Sequence, residues 1–148
     1  MPKEKPDHHD AELVLKLYDL RRETVMREPR LRIVREFNPK SWEDVVAVVG
    51  NFEHPLNAAY RQVSSYWEMA YGIARWEIAH AEYLVEGNGE GLLLFVKLKP
   101  HLERFREEFS PRAYHNTEWV ATKTETGRRY VELFQTRLAK VLAAAAKR

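Results

Sequence analysis

The strongest hydrophobic pattern in the chain runs from Ser64 to Leu84, where apolar side chains recur at helical spacing. One stripe, with spacing 3,4,3,4,3, consists of Tyr66, Met69, Ile73, Trp76, His80 and Tyr83. A second set covers much of the opposite side: Trp67, Ala70, Tyr71, Ala74 and Ile78. Because a helix that is apolar most of the way round normally lies inside its domain, the pattern predicts a central helix over 64–84.

Two helical patterns precede this segment. The first begins after Asp7 or Asp10, either of which can act as N-cap, and Pro29 is expected to end or kink it. The second begins after Ser41 and carries a stripe of Trp42, Val45, Val49, Phe52, Leu56 and Ala59. Pro55 lies within that stripe, so we expect a kink near it.

Two further helical patterns follow the central segment. The first carries Phe95, Leu98, Leu102, Phe105 and Phe109, and Pro100 in its middle predicts a second kink. The last carries Val131, Phe134, Leu138, Val141 and Ala145. No stretch alternates apolar and polar residues as a half-buried strand does. The sequence therefore predicts an all-α fold, a bundle of four or five main helices.

Length and charge set the domain organisation. The 148 residues suit one domain, and the charged start with Pro2 and Pro6 predicts a mobile tail over 1–8 followed by a single helical domain over 9–148. The 24 Lys and Arg residues nearly balance the 22 Asp and Glu residues, which argues against a nucleic-acid partner.

Composition also bears on the compartment. The chain has no cysteine, no signal-peptide pattern and no run of about 20 apolar residues that could span a membrane. We therefore expect a cytoplasmic protein without disulfides, thiolate metal ligands or a membrane span.

Glu77 and His80 are the candidates for chemistry, because the Glu-x-x-His spacing places a carboxylate and an imidazole one helical turn apart. A di-iron bundle needs two such pairs, and only one is present in that order. A mononuclear divalent-metal site built from Glu53, Glu77 and His80 is one interpretation. The other is that His80 and Glu77 satisfy each other inside the core.

Sequence motifs for other enzyme classes are absent. The chain has no phosphate-binding loop, no nucleophile elbow, no dinucleotide fingerprint and no His-x3-His pair. No cofactor is predicted apart from the divalent metal just considered, and an enzyme is the less favoured class.

Aromatic residues indicate a different role. Four tryptophans and seven tyrosines exceed the needs of a minimal bundle core, and such side chains are favoured at interfaces and pocket walls. Tyr66, Trp67 and Trp76 are the candidates for a pocket wall or an interface. We therefore expect a self-associating interaction or structural module, most simply a homodimer. The alternative is a small metal- or ligand-binding enzyme centred on Glu77 and His80.

Two stretches carry a family resemblance: Asn51-Phe52-Glu53, and LKPHLERFREEFSPRAYHNTEWVA from Leu98 to Ala121. Together they resemble a family of small, mostly helical bacterial proteins of unknown function, over roughly Ser41 to Ala121. The resemblance implies a helical fold and a bacterial origin, and it assigns no functional residue.

Overall fold

The computed structural model describes residues 3–147, and every regular element in that range is a helix. The α-helices are α1 (His8–Arg22), α2 (Thr24–Glu36), α3 (Trp42–Val49), α4 (Asn57–Arg75), α5 (Ala81–Glu86), α6 (Glu90–Leu98), α7 (Leu102–Glu108), α8 (His115–Lys123) and α9 (Glu125–Ala146). Four of them, α1, α2, α4 and α9, have 13 or more residues. The prediction of an all-α bundle with four or five main helices is confirmed.

Helix α4 lies at the centre of the bundle and contacts α2, α3, α5, α6 and α8. Its buried face includes Trp67 and Tyr71, and α6 approaches this face closely at Gly91. A Cβ atom at Gly91 would lie 2.6 Å from the Tyr71 hydroxyl and 2.7 Å from Trp67 Cγ. The glycine is therefore required for the close packing of the two helices. The predicted central helix is correct for its first half, although it begins at Asn57 rather than near Ser64.

The break between the first two helices falls at Glu23, and not at Pro29 as the sequence suggests. Glu23 adopts φ −58° and ψ 143°, which is incompatible with a continuous helix. Pro29 lies inside α2, where it leaves the carbonyl of Val25 without its usual helical donor. The side-chain amide of Gln62 donates to that carbonyl at 2.8 Å, so α4 compensates for the proline.

The two prolines that were expected to kink a helix, Pro55 and Pro100, lie between α-helices. Pro55 occupies the turn between α3 and α4, so the chain has a complete break there instead of a kink. The Asn57 side-chain amide bridges this break by donating to the carbonyl of Val48 at 2.8 Å. Pro100 lies in a 3-10 helix, Lys99–His101, that joins α6 to α7 at the predicted position.

The N-terminal end of α1 is fixed by a reciprocal cap. The Asp7 side chain accepts from the N–H of Asp10, and the Asp10 side chain accepts from the N–H of Asp7. Residues 1 and 2 lie outside the described range. The division into a mobile tail over 1–8 and a domain over 9–148 stays a prediction.

Candidate functional site

The predicted apolar stripe does not continue as far as Tyr83, because α4 ends at Arg75. Glu77 has φ 57°, a left-handed conformation that a continuing helix cannot contain. The chain turns through residues 76–80, and α5 begins at Ala81. The expectation that Glu77 and His80 lie one turn apart on a single helical face is therefore wrong.

His80 instead acts as the N-cap of α5. Its Nδ1 atom accepts a hydrogen bond from the N–H of Tyr83 at 3.2 Å, whereas the side chain of Glu77 is exposed. Glu53 is also exposed, in the turn between α3 and α4. Within residues 3–147, no three His, Asp or Glu side chains are grouped so that they could hold a metal ion. Metal binding by Glu53, Glu77 and His80 stays a prediction, and no preformed ligand set supports it.

Asp10 holds the 76–80 turn in place, a role that the sequence did not reveal. Its fully buried carboxylate accepts from the N–H of Asp7 at 2.8 Å, from the N–H of His80 at 2.9 Å and from the Lys3 ammonium at 3.1 Å. Burial alone would raise the pKa of this carboxyl, but the hydrogen bonds from Asp7, His80 and Lys3 lower it to about 2. The carboxylate therefore stays charged and anchors α1 to the turn.

The three aromatic candidates divide between the core and the surface. Tyr66 and Trp67 are buried, and the Tyr66 hydroxyl donates to the carbonyl of Leu17 at 2.6 Å. Trp67 stacks on Tyr71 with ring centroids 5.7 Å apart and lines a small cavity of about 10 Å³. This volume is about that of one water molecule, so Trp67 lines a pocket too small for a larger ligand. Trp76 lies at the surface.

Four exposed residues and the half-buried Arg75, at or just after the end of α4, form a patch that we call the Trp76 corner. It consists of Met69, Arg75, Trp76, Glu77 and Ile78. Trp76 is 72% exposed and Ile78 is 61% exposed, and Met69 lies two helical turns before Trp76 on the same side of α4. The Arg75 guanidinium lies over the Trp76 ring, 5.8 Å from its centroid. The corner thus combines a large apolar surface with one positive and one negative side chain.

Two other glutamates are used as helix caps and are unavailable as ligands. Glu68, on α4, accepts from the N–H groups of Asn116 and Thr117 and from the Thr117 hydroxyl at the start of α8. Glu82, on α5, accepts from the N–H groups of Glu125 and Thr126 and from the Thr126 hydroxyl at the start of α9. Carboxylates are favourable at helix N-termini, where several N–H groups have no helical acceptor.

Lys97 is a buried cation that no sequence motif marks. Its side chain is only 7% exposed, and its ammonium donates to the carbonyls of Ile33 at 3.2 Å and Val34 at 2.9 Å in the last turns of α2. Burial lowers the pKa of Lys97 to about 8. The available signal was a single lysine inside the apolar run LLLFVKL of α6.

Lys97 also lines an open groove with a volume of about 650 Å³, which we call the α9 groove. One wall is the C-terminal half of α9, including Leu138, Val141 and Leu142. The opposite wall comes from the end of α6, the 3-10 helix and the segment that joins α2 to α3. The groove is mainly apolar, and the buried Lys97 is among its lining residues.

Comparison with known proteins gives a family without an assigned activity. The family model described as a domain of unknown function, DUF4760, matches residues 6–124. The chain therefore belongs to this family, in agreement with the resemblance inferred from its sequence. No curated protein and no solved structure matches the chain. The family match ends at Thr124, the N-cap of α9, so α9 follows the matched segment.

Over residues 3–147, no helix combines the length and the hydropathy that a membrane-crossing helix requires.

Proposed function

We propose that the protein is a homodimeric interaction module whose two copies join through the Trp76 corner. The observation that carries this proposal is the 72% exposure of Trp76 on a turn that the buried Asp10 carboxylate anchors. Tryptophan is among the residues that contribute most to binding when buried at the centre of an interface. A pre-ordered turn also lowers the entropy cost of association.

The charges of the corner favour a second copy of this chain over an unrelated partner. Arg75 and Glu77 flank Trp76 directly and carry opposite charges. In a two-fold symmetric dimer the same patch faces itself, so Arg75 of each copy can approach Glu77 of the other. The patch is therefore complementary to itself in charge as well as in hydrophobicity. The exposed side chain of Glu77 forms no hydrogen bond or ion pair with residues 3–147 that would compete, because its one hydrogen bond, to the carbonyl of Ala74, comes from the backbone N–H.

A charge-exchange experiment tests this arrangement. Glu77→Arg and Arg75→Glu are prepared as separate proteins, and sedimentation velocity gives the dimer dissociation constant of each protein and of their equimolar mixture. Each variant alone places like charges opposite each other, and we expect its dimer to be weakened at least about tenfold. The mixture restores opposite charges at both contacts, so a heterodimer should form.

Two controls accompany the exchange. Glu132→Arg makes the same charge change at an exposed position of α9, and we expect it to leave the dissociation constant unchanged. Arg75 also donates to the Asn116 side chain at 3.1 Å, so the thermal stability of Arg75→Glu is measured as well. A mixture that associates no better than the separate variants contradicts the proposed interface.

The remaining expectations about function stay predictions. They are the cytoplasmic location, the bacterial origin, the lack of a nucleic-acid partner and the alternative of a small enzyme centred on Glu77 and His80. The last has the least support, because the two side chains do not share a helical face.

A further inference from the structure

The C-terminal half of α9 is almost entirely exposed. The buried residues of this helix are Gly127 and Val131, near its start, and every residue from 139 to 147 is exposed. Val141 is 63% exposed and Leu142 is 53% exposed. The described part of the chain therefore leaves an apolar surface of this helix uncovered, which is typical of an interaction site.

The same half of α9 carries charges of one sign. Its charged residues are Arg137, Lys140 and Lys147, and the last acidic residue of the sequence is Glu132. We call residues 135–147 the basic segment. Over the whole chain the two signs nearly balance, with 24 Lys and Arg residues against 22 Asp and Glu residues. An anionic partner is therefore the charge complement of the basic segment.

The cations and the apolar side chains of the basic segment lie on adjacent sides of the helix. At about 100° per residue, Arg137, Lys140 and Lys147 fall within about 80° of one another around the helix axis. The side that contains Val141 and Leu142 begins about 40° beyond Arg137. Helices that lie on anionic bilayers combine a cationic and an apolar face in this way.

Lysines on the facing wall of the α9 groove extend the positive charge beyond α9. Lys40 and Lys99 are exposed and line this wall. No aspartate or glutamate is among the described residues that line the groove. A broad anionic surface on this side of the molecule would therefore be attracted by cations from two parts of the fold.

The composition of the basic segment favours a lipid surface over a protein partner. Protein interfaces are depleted in lysine and alanine, and tryptophan and tyrosine contribute much of their binding energy. Residues 139 and 143–146 are alanines, and no aromatic residue follows Phe134. A bilayer requires no matching pocket, and each cation close to an anionic bilayer adds to the attraction.

We infer that the basic segment docks on an anionic lipid bilayer. Val141 and Leu142 lie at the boundary between headgroups and acyl chains, and Arg137, Lys140 and Lys147 lie at the lipid phosphates. The helix lies in the plane of the bilayer and does not cross it. The basic segment shares no residue with the Trp76 corner, so this inference does not depend on the proposed dimer.

Co-sedimentation with vesicles tests the dependence on charge. We expect the protein to bind phosphatidylglycerol vesicles at least about tenfold more tightly than phosphatidylcholine vesicles in about 0.1 M NaCl. We expect about 1 M NaCl to release the protein, because the Debye length falls from about 10 Å to about 3 Å.

Two charge-reversal pairs test the location of the contact. Arg137→Glu combined with Lys140→Glu should weaken binding to phosphatidylglycerol vesicles at least about tenfold. Lys16→Glu combined with Arg27→Glu makes the same change in net charge at exposed positions of α1 and α2 that do not line the groove. We expect this control pair to weaken binding less than about threefold.

A fluorescent label tests insertion directly and independently of the charge variants. The chain has no cysteine, so a single introduced cysteine can carry nitrobenzoxadiazole at one chosen position. We compare Val141→Cys with Leu15→Cys on α1, because these positions are 63% and 62% exposed. Phosphatidylglycerol vesicles should increase the emission only of the label at 141. Ile78→Cys, at a position 61% exposed, tests whether the Trp76 corner inserts instead.

Several results would overturn the inference. They are absence of co-sedimentation with phosphatidylglycerol vesicles, equal binding to the two lipids, and equal weakening by the two charge-reversal pairs. A label at 141 that does not respond to vesicles, or responds less than the label at 15 or 78, would have the same consequence. So would emission at 141 that rises with protein concentration without vesicles, because a second copy would then cover the basic segment.

Discussion

The carboxylate of Asp10 accepts a hydrogen bond from the backbone N–H of His80 at 2.9 Å, across 70 positions of the sequence. This contact ties α1 to the turn between α4 and α5, where Trp76 is displayed. The same carboxylate caps the first turn of α1 through the N–H of Asp7. The start of the chain and the proposed interface are therefore coupled through one buried charge.

Removal of this charge should destabilise the fold. We expect Asp10→Ala to lower the free energy of unfolding by about 3 kcal/mol, because three donors lose a charged acceptor. Urea unfolding followed by circular dichroism measures the change. Asp19→Ala, at an exposed position of α1, should change it by less than about 0.5 kcal/mol. Equal effects of the two substitutions would show that the Asp10 contacts contribute little.

Asp10 also predicts how stability responds to acid. Its pKa is about 2 in the folded protein and near 3.8 when unperturbed, so the unfolded state binds the proton more readily. The stabilisation is therefore complete above about pH 4 and is lost as the pH falls from about 4 to about 2. We expect the wild-type protein to lose stability more steeply than Asp10→Asn over this interval. Parallel curves for the two proteins would contradict the lowered pKa.

The lowered pKa of Lys97 predicts a second rise of stability with pH, in the alkaline range. Its pKa is about 8 in the folded protein and 10.5 when unperturbed, so the folded state releases its proton first. The unfolded state binds more protons between these values, and the contribution of Lys97 to stability therefore rises with pH from about 8 to about 10.5. We expect the difference in unfolding free energy between wild type and Lys97→Met to move in favour of wild type over this range. Lys123→Met, at an exposed position of α8, is the control for the loss of a lysine. A pH-independent difference between wild type and Lys97→Met would contradict the lowered pKa of Lys97.

The approach of α6 to α4 gives a further prediction. Gly91→Ala should destabilise the protein by about 1–3 kcal/mol, although alanine is the better helix former, because the new methyl group meets Tyr71 and Trp67. Gly87→Ala is the matched control, since a Cβ at Gly87 has nothing within 4 Å and its φ is −93°. Thermal melts of the two variants distinguish a packing defect from a general effect of replacing glycine.

Much of the fold is readable from local patterns. The helical spacing from Tyr66 to Ile73 predicts the buried helix, and Ser41 is the N-cap of α3 as its position before Trp42 indicates. The prediction that Pro29 ends or kinks a helix fails because the effect of a proline depends on whether another donor bonds to the carbonyl four residues before it. Here that donor is Gln62, which is 33 positions further along the sequence from Pro29 and lies on another helix.

Much less of the candidate site can be predicted from the sequence, because its geometry depends on contacts between residues far apart in the chain. The helical stripe through Trp76 and His80 fails at Glu77, whose left-handed backbone carries no strong sequence signal. His80 keeps the spacing of an inward residue, yet it caps a new helix. Its position depends on Asp10, and a contact across 70 residues leaves no local pattern. The burial of Lys97 could not be predicted for a similar reason, because the carbonyls that accept its hydrogen bonds belong to α2.

The central claim is that the Trp76 corner joins two copies of this chain. Sedimentation velocity over a wide concentration range tests it most directly, with Trp76→Ala compared to Phe52→Ala. The control is well matched, because Phe52 is 75% exposed and lies in the turn between α3 and α4. We expect a concentration-dependent dimer for wild type and Phe52→Ala, and a dimer weakened at least about tenfold for Trp76→Ala. A wild-type protein that stays monomeric at every concentration, or a dimer that Trp76→Ala leaves unchanged, would contradict the claim.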